Sequence, residues 1–346
     1  MAGTQGKLLV RGSINIDEFF VVDHIVRSGE TISSTNFSRR AGGKGANQAV
    51  SAARAGAAVD FAGTIGNDGT WLRDTLSSYG LGLSLLATDE SVPTGRAIIQ
   101  LSSSTADNSI VLLPGANFTS SPSPLASLSR SELSEYTHLI LQNEIPLAGT
   151  KQALRDAKSA GLTTLLNPSP MLRPEALQSF EFDKLDWLII NEGEGEDLVA
   201  ALSTTAEAET PVSEPKAVLR RLRETRLSGL TGIIMTRGAD GVMASLQGGE
   251  LVSVGAGKVE GGVKDTTGAG DCFTGFFATL LSTLAPTPSP PLSTDKLEKI
   301  LSVACQAAAM CVEKPGAMES VPSLQDVKER MGGKWPEGQE WERLLQ

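Results

Sequence analysis

The chain has 346 residues, 40% of them hydrophobic and 20% charged, an ordinary balance for a globular protein. A formal net charge of -10 argues against a nucleic-acid surface, which is usually basic, and no apolar run approaches the roughly 18 residues of a membrane span. Three cysteines without CxxC spacing and two histidines, His24 and His138, exclude a disulfide framework and a histidine-built metal site, and fit a reduced, intracellular compartment. The N-terminal MAGTQGK lacks an apolar signal core, so the N-x-S/T matches at Asn36 and Asn117 are read as chance.

In chain order, Lys7 to Ile16 (KLLVRGSINI) reads as a first strand that turns polar at its end, with Ser13, Asn15 and Asp17 on one face. A carboxylate there can accept hydrogen bonds from two adjacent hydroxyls of a sugar; the alternative is a solvated strand end. Ala41 to Ala49 (AGGKGANQA) opens a small-residue helix that closes at Gly56. It is neither a Walker A loop, since Lys44 is followed by glycine, nor GxGxxG. Its glycines permit close backbone approach, and Lys44 and Asn47 supply donors that can grip a polyol; a plain helix start is the alternative.

Val59 to Ile65 is expected as a second strand, followed by a turn at 66–69 and a short helix closing at Gly80. Thr94 to Leu101 and Ser109 to Leu113 read as a hairpin turning at STADN, an appendage to an otherwise α/β winding. PGANFTSSPSPLASL is expected as a polar loop. From His138, itself read as structural, strands ending at Glu144, Asn167, Asn191-Glu192 and Thr236 alternate with helices. Polar residues thus cluster at successive strand ends, the edge where parallel α/β sheets bind ligands. The stretch 203–215 is acidic and is the least structured in appearance; PTPSPPLST is a loop; 295–313 is an Ala-rich helix. In that helix Cys305, Ala308, Ala309 and Val312 keep one face small, as packing on a flat ring or on another helix requires. The tail WPEGQEWERLLQ is expected as a surface appendage.

Lys264 to Leu281 (KDTTGAGDCFTGFFATLL) carries the most pointed chemistry. Phe273, Phe276, Phe277, Leu280 and Leu281 fall on one face of a helix, which places Thr266, Thr267 and the glycines at its start. Unpaired N–H groups and the helix dipole make that turn a fit place for an anion. Asp271 stands inside it, where a carboxylate repels a resting anion, so its presence asks for a reason. Acting as general base on a hydroxyl that attacks phosphorus supplies one; an ordinary first-turn Asp is the alternative.

With RGSINIDEF, AGGKGANQAV, INEGE at 190–194, IMTRGADG and KDTTGAGDCFTGFF, the chain resembles the PfkB (ribokinase-like) family of carbohydrate kinases over residues 7 to 325. DTTGAGD is the family-specific motif. The resemblance implies one α/β domain over 1–346: a three-layer α/β/α sandwich with a mostly parallel central sheet, and a small β-sheet lid from about 12–41 and 94–114. The 203–215 insert and the 327–346 tail lie outside it.

The resemblance also implies a site. Asn15, Ile16, Asp17, Gly43, Lys44, Gly45, Ala46, Asn47 and Glu144 would hold the sugar, with Asp271 as base and Gly268, Ala269 and Gly270 as anion hole. Asn191, Thr236, Arg237, Gly238, Ala239, Asp240, Gly241, Gly270, Asp271 and Cys305 would line the nucleotide. Asn191 and Glu192 fall in the family's NxxE region, which serves magnesium and phosphate, with Glu194 at the NxxE distance. A monovalent-cation loop maps onto Asp265, Thr267, Cys311, Lys314, Gly316 and Ser320. Cys305, near a usually polar nucleotide contact, and Pro315, in the cation loop, depart from the pattern.

The implied activity is ATP-dependent phosphorylation of D-ribose at the C5 hydroxyl, with Mg²⁺ and K⁺, in a cytoplasmic and also nuclear homodimer paired through the lid. The same chemistry on another small sugar or a nucleoside is the alternative. An NAD(P)-dependent oxidoreductase lacks its GxGxxG, and a non-catalytic sugar sensor would not need Asp271.

Overall fold

The computed structural model describes residues 6–105, 107–119, 125, 128–203, 212–285 and 292–344. Parts of six expected segments lie outside these: residues 1–5 of the N-terminus, 106 of the hairpin turn, 120–124 and 126–127 of the polar loop, 204–211 of the acidic insert, 286–291 of the Pro-rich loop and 345–346 of the tail.

The strands are β1 (Lys7–Arg11), β2 (Asn15–Val22), β3 (Asn36–Gly42), β4 (Ala58–Gly66), β5 (Leu86–Asp89), β6 (Gly95–Ser102), β7 (Asn108–Leu113), β8 (His138–Leu141), β9 (Thr163–Leu166), β10 (Trp187–Asn191), β11 (Gly232–Thr236), β12 (Val242–Leu246) and β13 (Leu251–Val254). Among the described residues, nine form one sheet in the order β13-β12-β11-β10-β9-β8-β1-β4-β5. Pairing is parallel from β5 to β11 and antiparallel at β12 and β13, two strands that sequence reading did not separate.

Short apolar strands buried on both faces suit such a sheet. In β1, Leu8 and Val10 enter one core and Leu9 the other; in β10, Trp187 and Ile189 oppose Leu188 and Ile190 in the same way. One face is covered by the helices Lys44–Arg54, Ala269–Leu284 and Thr294–Cys311, the other by Leu147–Ala160, Glu192–Leu202 and Pro215–Arg223. This is the expected three-layer α/β/α sandwich.

The strand expected over Lys7 to Ile16 is in fact two. Ser13 O accepts from Ala46 N at 2.9 Å, and both backbone groups of Ile14 bond the Asn117 side chain, at 2.9 and 3.1 Å, so neither residue continues the main sheet. A Cβ on Gly45 would lie 2.6 Å from Gly12 Cα, so only glycine lets the Lys44–Arg54 helix start this close to the break. Beyond it β2 joins a separate four-stranded sheet, β3-β2-β6-β7, in which β6 and β7 form the expected hairpin. This lid is fastened by Arg96, which pairs with Glu18 in the lid (2.7 Å) and with Asp68 at the end of the main sheet (2.6 Å).

The C-terminal tail is not a surface appendage. Trp341 is 1% exposed and meets Trp335 edge-on at 5.8 Å, and both belong to the core on the sheet face that carries the Lys44–Arg54, Ala269–Leu284 and Thr294–Cys311 helices. Indole burial outweighs the polar residues around it. Trp341→Ala should therefore cost about 3–5 kcal/mol, the usual range for truncating a buried aromatic, read as a lower urea midpoint. A change within about 0.5 kcal/mol, the scale of surface substitutions, would show that the tail adds nothing to the fold.

Candidate active site

Two helix N-termini converge at the carboxyl edge of the sheet. The Lys44–Arg54 helix follows Gly43 without a side-chain cap of its own. Glu144, beyond the end of β8, serves instead: its Oε2 accepts from Lys44 N at 3.0 Å and from Ser13 Oγ at 2.5 Å. A carboxylate at a helix N-terminus satisfies an otherwise unpaired donor and is favoured by the dipole. The second helix, Ala269–Leu284, starts at Gly268, whose φ of 79° is the left-handed turn that glycine adopts without strain.

Asp271 sits in the first turn of that second helix, 6% exposed. Asn47 Nδ2 donates to its Oδ2 at 3.0 Å and Gln48 Nε2 to its Oδ1 at 2.9 Å. Asn47 Oδ1 is buried with no partner among the described residues, an acceptor aligned for a donor that the chain does not provide. Asn15 Oδ1 is held by Asn117 Nδ2 at 2.7 Å. Asn15, Ile16 and Asp17 thus stand on the lid strand β2, while Gly43 to Asn47, Glu144 and Asp271 come from the main body.

Burial pushes the Asp17 carboxyl up to about 7, with repulsion from Glu144 and then Glu319 adding to it. The two histidines are elsewhere. His24 contacts Glu30, and His138 is buried in β8, where burial brings it down to about 4.

On the other side of Asp271 lies a cavity of about 420 Å³. Thr236, Gly238, Ala239, Gly241, Gly270 and Cys305 from the expected nucleotide set line it, with Ala269 from the expected anion hole and Ala308, Ala309 and Val312 of the small helix face. A Cβ on Gly257, also in the wall, would meet Gln306 Cα at 2.5 Å. Val259 and Val263 border the cavity 37% and 63% exposed, apolar surface that a flat ring would cover. Burial pushes the Cys305 thiol up to about 12, so it meets the cavity as a neutral, weakly polar group.

Asn191, Arg237, Asp240 and Asp271, also expected there, are not in that wall. Asn191 Oδ1 caps the Glu192–Leu202 helix by accepting from Glu194 N at 2.8 Å, while Glu194 Oε2 accepts from Asn191 N at 2.9 Å. Arg237 reaches Glu192 and Asp240, at 3.4 and 3.8 Å.

Asp265, Thr267, Cys311, Lys314, Gly316 and Ser320 are drawn to one loop crossing. Lys264 N donates to Val312 O, Gly316 N and Thr267 N donate to the Asp265 carboxylate at 2.9 Å each, and Cys311 Sγ lies 2.8 Å from Ser320 Oγ. Burial raises the Asp265 carboxyl, but the Gly316 N–H, the Thr267 donors and Arg40 outweigh it and hold it below its usual value. Its partners are backbone donors rather than Lys264 or Lys314.

Ser13 reads with Asn15 and Asp17 on one strand face, while Gln48, Asn117, Gln142, Asn167 and Glu319, also neighbours of the site, are not among the expected site residues. Gln48 lies inside AGGKGANQA and Asn167 at a strand end, so both were in view, but what they touch is set by residues far along the chain.

The carboxyl-edge site, the polar cluster shared between body and lid, and the glycine-started helix together define a phosphate-handling α/β protein. The family of pfkB carbohydrate kinases matches residues 5–324, and the chain belongs to that family. It is 32% identical to the ribokinase of Haemophilus influenzae over 324 residues, covering 93% of this chain and 97% of that protein. A ribokinase of Cryptococcus neoformans var. grubii in complex with ADP superposes with a TM-score of 0.80 at 44% identity, covering 94% of this chain and 99% of that one. An Arabidopsis thaliana ribokinase complexed with ribose and ATP superposes at 0.79 with 27% identity, covering 95% and 99%.

The Asp17 environment has a measurable consequence. Between its ordinary 3.8 and about 7 the folded protein holds a proton that the unfolded chain has released, so stability falls as pH rises through that window. Asp17→Asn should remove this slope. Its melting temperature should match wild type near pH 4 and exceed it at pH 8, by at most about 4 kcal/mol in stability at 1.36 kcal/mol per pH unit. An unchanged difference across that range would place the Asp17 carboxylate in water.

Proposed function

We propose that this chain is an ATP-dependent D-ribose kinase that transfers the γ-phosphoryl group to the C5 hydroxyl, giving D-ribose 5-phosphate. The observation that carries the reading is the position of Asp271. Its carboxylate is held by the polar loop at Asn47 and Gln48, while Ala269 and Gly270 of the same turn line the ring-sized cavity. A hydroxyl delivered from one side and a phosphate from the other meet there.

The steps follow from the residues. The lid presents Asn15 and Asp17 to the sugar hydroxyls, and the body presents Asn47, whose orphan Oδ1 accepts one more. Asp17 binds best as the carboxylate, which accepts from two hydroxyls; at neutral pH that form is accessible because its carboxyl titrates near about 7. Asp271 takes the C5 hydroxyl proton as oxygen attacks phosphorus. The N–H groups of Gly270 and Asp271 belong to the first helical turn, which lacks intrahelical acceptors, and they take the charge that develops on the transferring group. The adenine ring would lie between Ala308, Ala309 and Gly257. The same arrangement would serve another small sugar, and a panel of acceptors ranks them.

Magnesium, when bound, neutralises phosphate charge. Glu192 and Glu194 begin the helix beside β11 and fit it. Such an ion keeps most of its water and needs only one or two carboxylates besides the phosphates, so the lack of a three-ligand cluster among the described residues is no obstacle. A potassium ion would be held by Asp265 with carbonyl and hydroxyl oxygens of Thr267, Cys311, Lys314, Gly316 and Ser320, hard donors suited to it. Asp265 retains lone pairs beyond its two N–H partners.

The lid exposes Phe37, Ile98, Val111 and Leu113 on one face of its sheet, with Ile110 and Leu112 exposed on the other, and this apolar surface supports a homodimer in which two lids cover each other. Three free, buried thiols go with a reducing cytoplasm.

Asp271→Asn keeps the shape and removes the base, so turnover with ribose should fall by about 10² to 10⁴ with little change in ribose or ATP binding. Near-normal turnover in this variant would sink Asp271 as base. At constant ionic strength, replacing potassium by choline in Tris buffer should lower activity, sodium and lithium should restore it less than potassium, and Asp265→Ala should lose the response. Unchanged turnover in choline would show that the backbone donors alone balance Asp265.

A further inference from the structure

We propose that Gln48 is a positioning residue for the reaction, fixing the Asp271 carboxylate through an amide relay that no charged residue enters. This rests on the reading of Asp271 as base.

The side chain of Gln48 is fully buried and held at three points. Its Nε2 donates to Asp271 Oδ1 at 2.9 Å and to Asn167 Oδ1 at 3.3 Å, and its Oε1 accepts from Gln142 Nε2 at 2.7 Å. Turning the amide over would set its oxygen against two acceptors and its nitrogen against a donor, so a single orientation survives. Asn167 is itself anchored to the sheet, its Nδ2 donating to Ile189 O at 2.9 Å. Gln142 is also fully buried, just beyond β8. The relay therefore runs from the ends of two central strands to the catalytic carboxylate.

What the relay supplies is orientation without a counter-charge. Asn47 holds Oδ2 and Gln48 holds Oδ1, so the carboxylate cannot rotate about its Cβ–Cγ bond without losing both hydrogen bonds. A lysine or arginine in the place of Gln48 would hold it as firmly, but an adjacent cation lowers a carboxylate's proton affinity and would weaken the base. A neutral amide avoids that. Gln48 carries no proton in the reaction; it keeps the Asp271 lone pair aimed at the incoming hydroxyl.

Two variants test this, each measured beside wild type with ribose and ATP from pH 5.5 to 8.5, with folding and nucleotide binding read from the melting shift that ADP produces. Gln48→Met keeps the volume and removes the donor. Its kcat should fall by about 10²-fold, the scale of a 1 Å misplacement, with the ribose KM and the ADP shift retained. Gln48→Glu can donate to Asp271 only when protonated and repels it when ionised, so its activity relative to wild type should decline as pH rises. If Gln48→Met does not fold, the Gln48→Glu profile decides alone. The proposal is overturned if Gln48→Met keeps kcat within about threefold of wild type, loses it only through KM, or if Gln48→Glu follows the wild-type profile at any overall level, as a packing role would give. Wild type that binds ADP yet phosphorylates no sugar would instead overturn the functional reading on which this rests.

Discussion

The hydrogen bonds from Asn47 and Gln48 to Asp271 join residues 224 and 223 positions apart, and the site depends on them. They close one end of a seam between two helices whose remaining contacts are equally close. A Cβ on Gly275 would lie 2.4 Å from Ser51 Cβ, Ser51 Oγ donates to Cys272 O at 2.7 Å, and Thr279 Oγ1 donates to Ala52 O at 3.1 Å. Small residues let the helices approach, and hydroxyls capped onto main-chain carbonyls set their register. The loop proposed to hold the sugar and the turn proposed to hold phosphate sit at the starts of these two helices, so the seam fixes the distance between them. Little of that precision is left to loops.

An acidic protein that handles an anion has to generate positive potential locally, and here helix ends and amides do so where side-chain cations do not. Glu144 takes the Lys44 N–H at the start of the Lys44–Arg54 helix together with the Ser13 hydroxyl, while Gly45 N and Ala46 N donate to Ser13. Asp17, Glu144 and Glu319 nevertheless crowd one side, and Asp17 bears the cost as a carboxyl raised to about 7. Such crowding is uneconomical for the empty fold. It is what a pocket needs if hydroxyl donors of a ligand are to relieve it, since unpaired acceptors bind donors at a gain that a satisfied pocket cannot match.

Much of this was legible in the sequence, for identifiable reasons. The strands at Ala58–Gly66, His138–Leu141, Thr163–Leu166, Trp187–Asn191 and Gly232–Thr236 are short apolar runs bounded by turn residues, and composition places each to within a few residues, the His138 strand ending at Leu141 rather than at Glu144. The phosphate turn was legible because glycines, a helix face and an ill-placed carboxylate coincide within eighteen residues. What composition could not reveal was anything decided by distant partners. KLLVRGSINI runs on as one apolar strand until Asn117, over a hundred residues away, claims both backbone groups of Ile14. The tail reads as polar until its two tryptophans are placed on the helices that bury them. Asn191 reads as a ligand residue at a strand end, and its side-chain oxygen is taken by a helix cap.

The break at Gly12 to Ile14 also determines how the two halves of the proposed sugar pocket relate. Because β2 leaves the main sheet directly after β1, Asn15 and Asp17 travel with the lid, while Asn47, Glu144 and Asp271 stay with the body. The two halves are held in register by neutral and charged contacts of different strength. Asn117 clips the chain at the break with hydrogen bonds among buried, uncharged groups, and Arg96 bridges the lid to Asp68 at a partly exposed position. The buried amide contacts are insensitive to salt, whereas the Arg96 bridge is screened. The clip at Asn117 is therefore the firmer of the two attachments and the Arg96 bridge the looser one. On the proposed reading of Asn15 and Asp17 as sugar ligands, Asn15 sits beside the firmer attachment and Asp17 further along the strand that leads away from it.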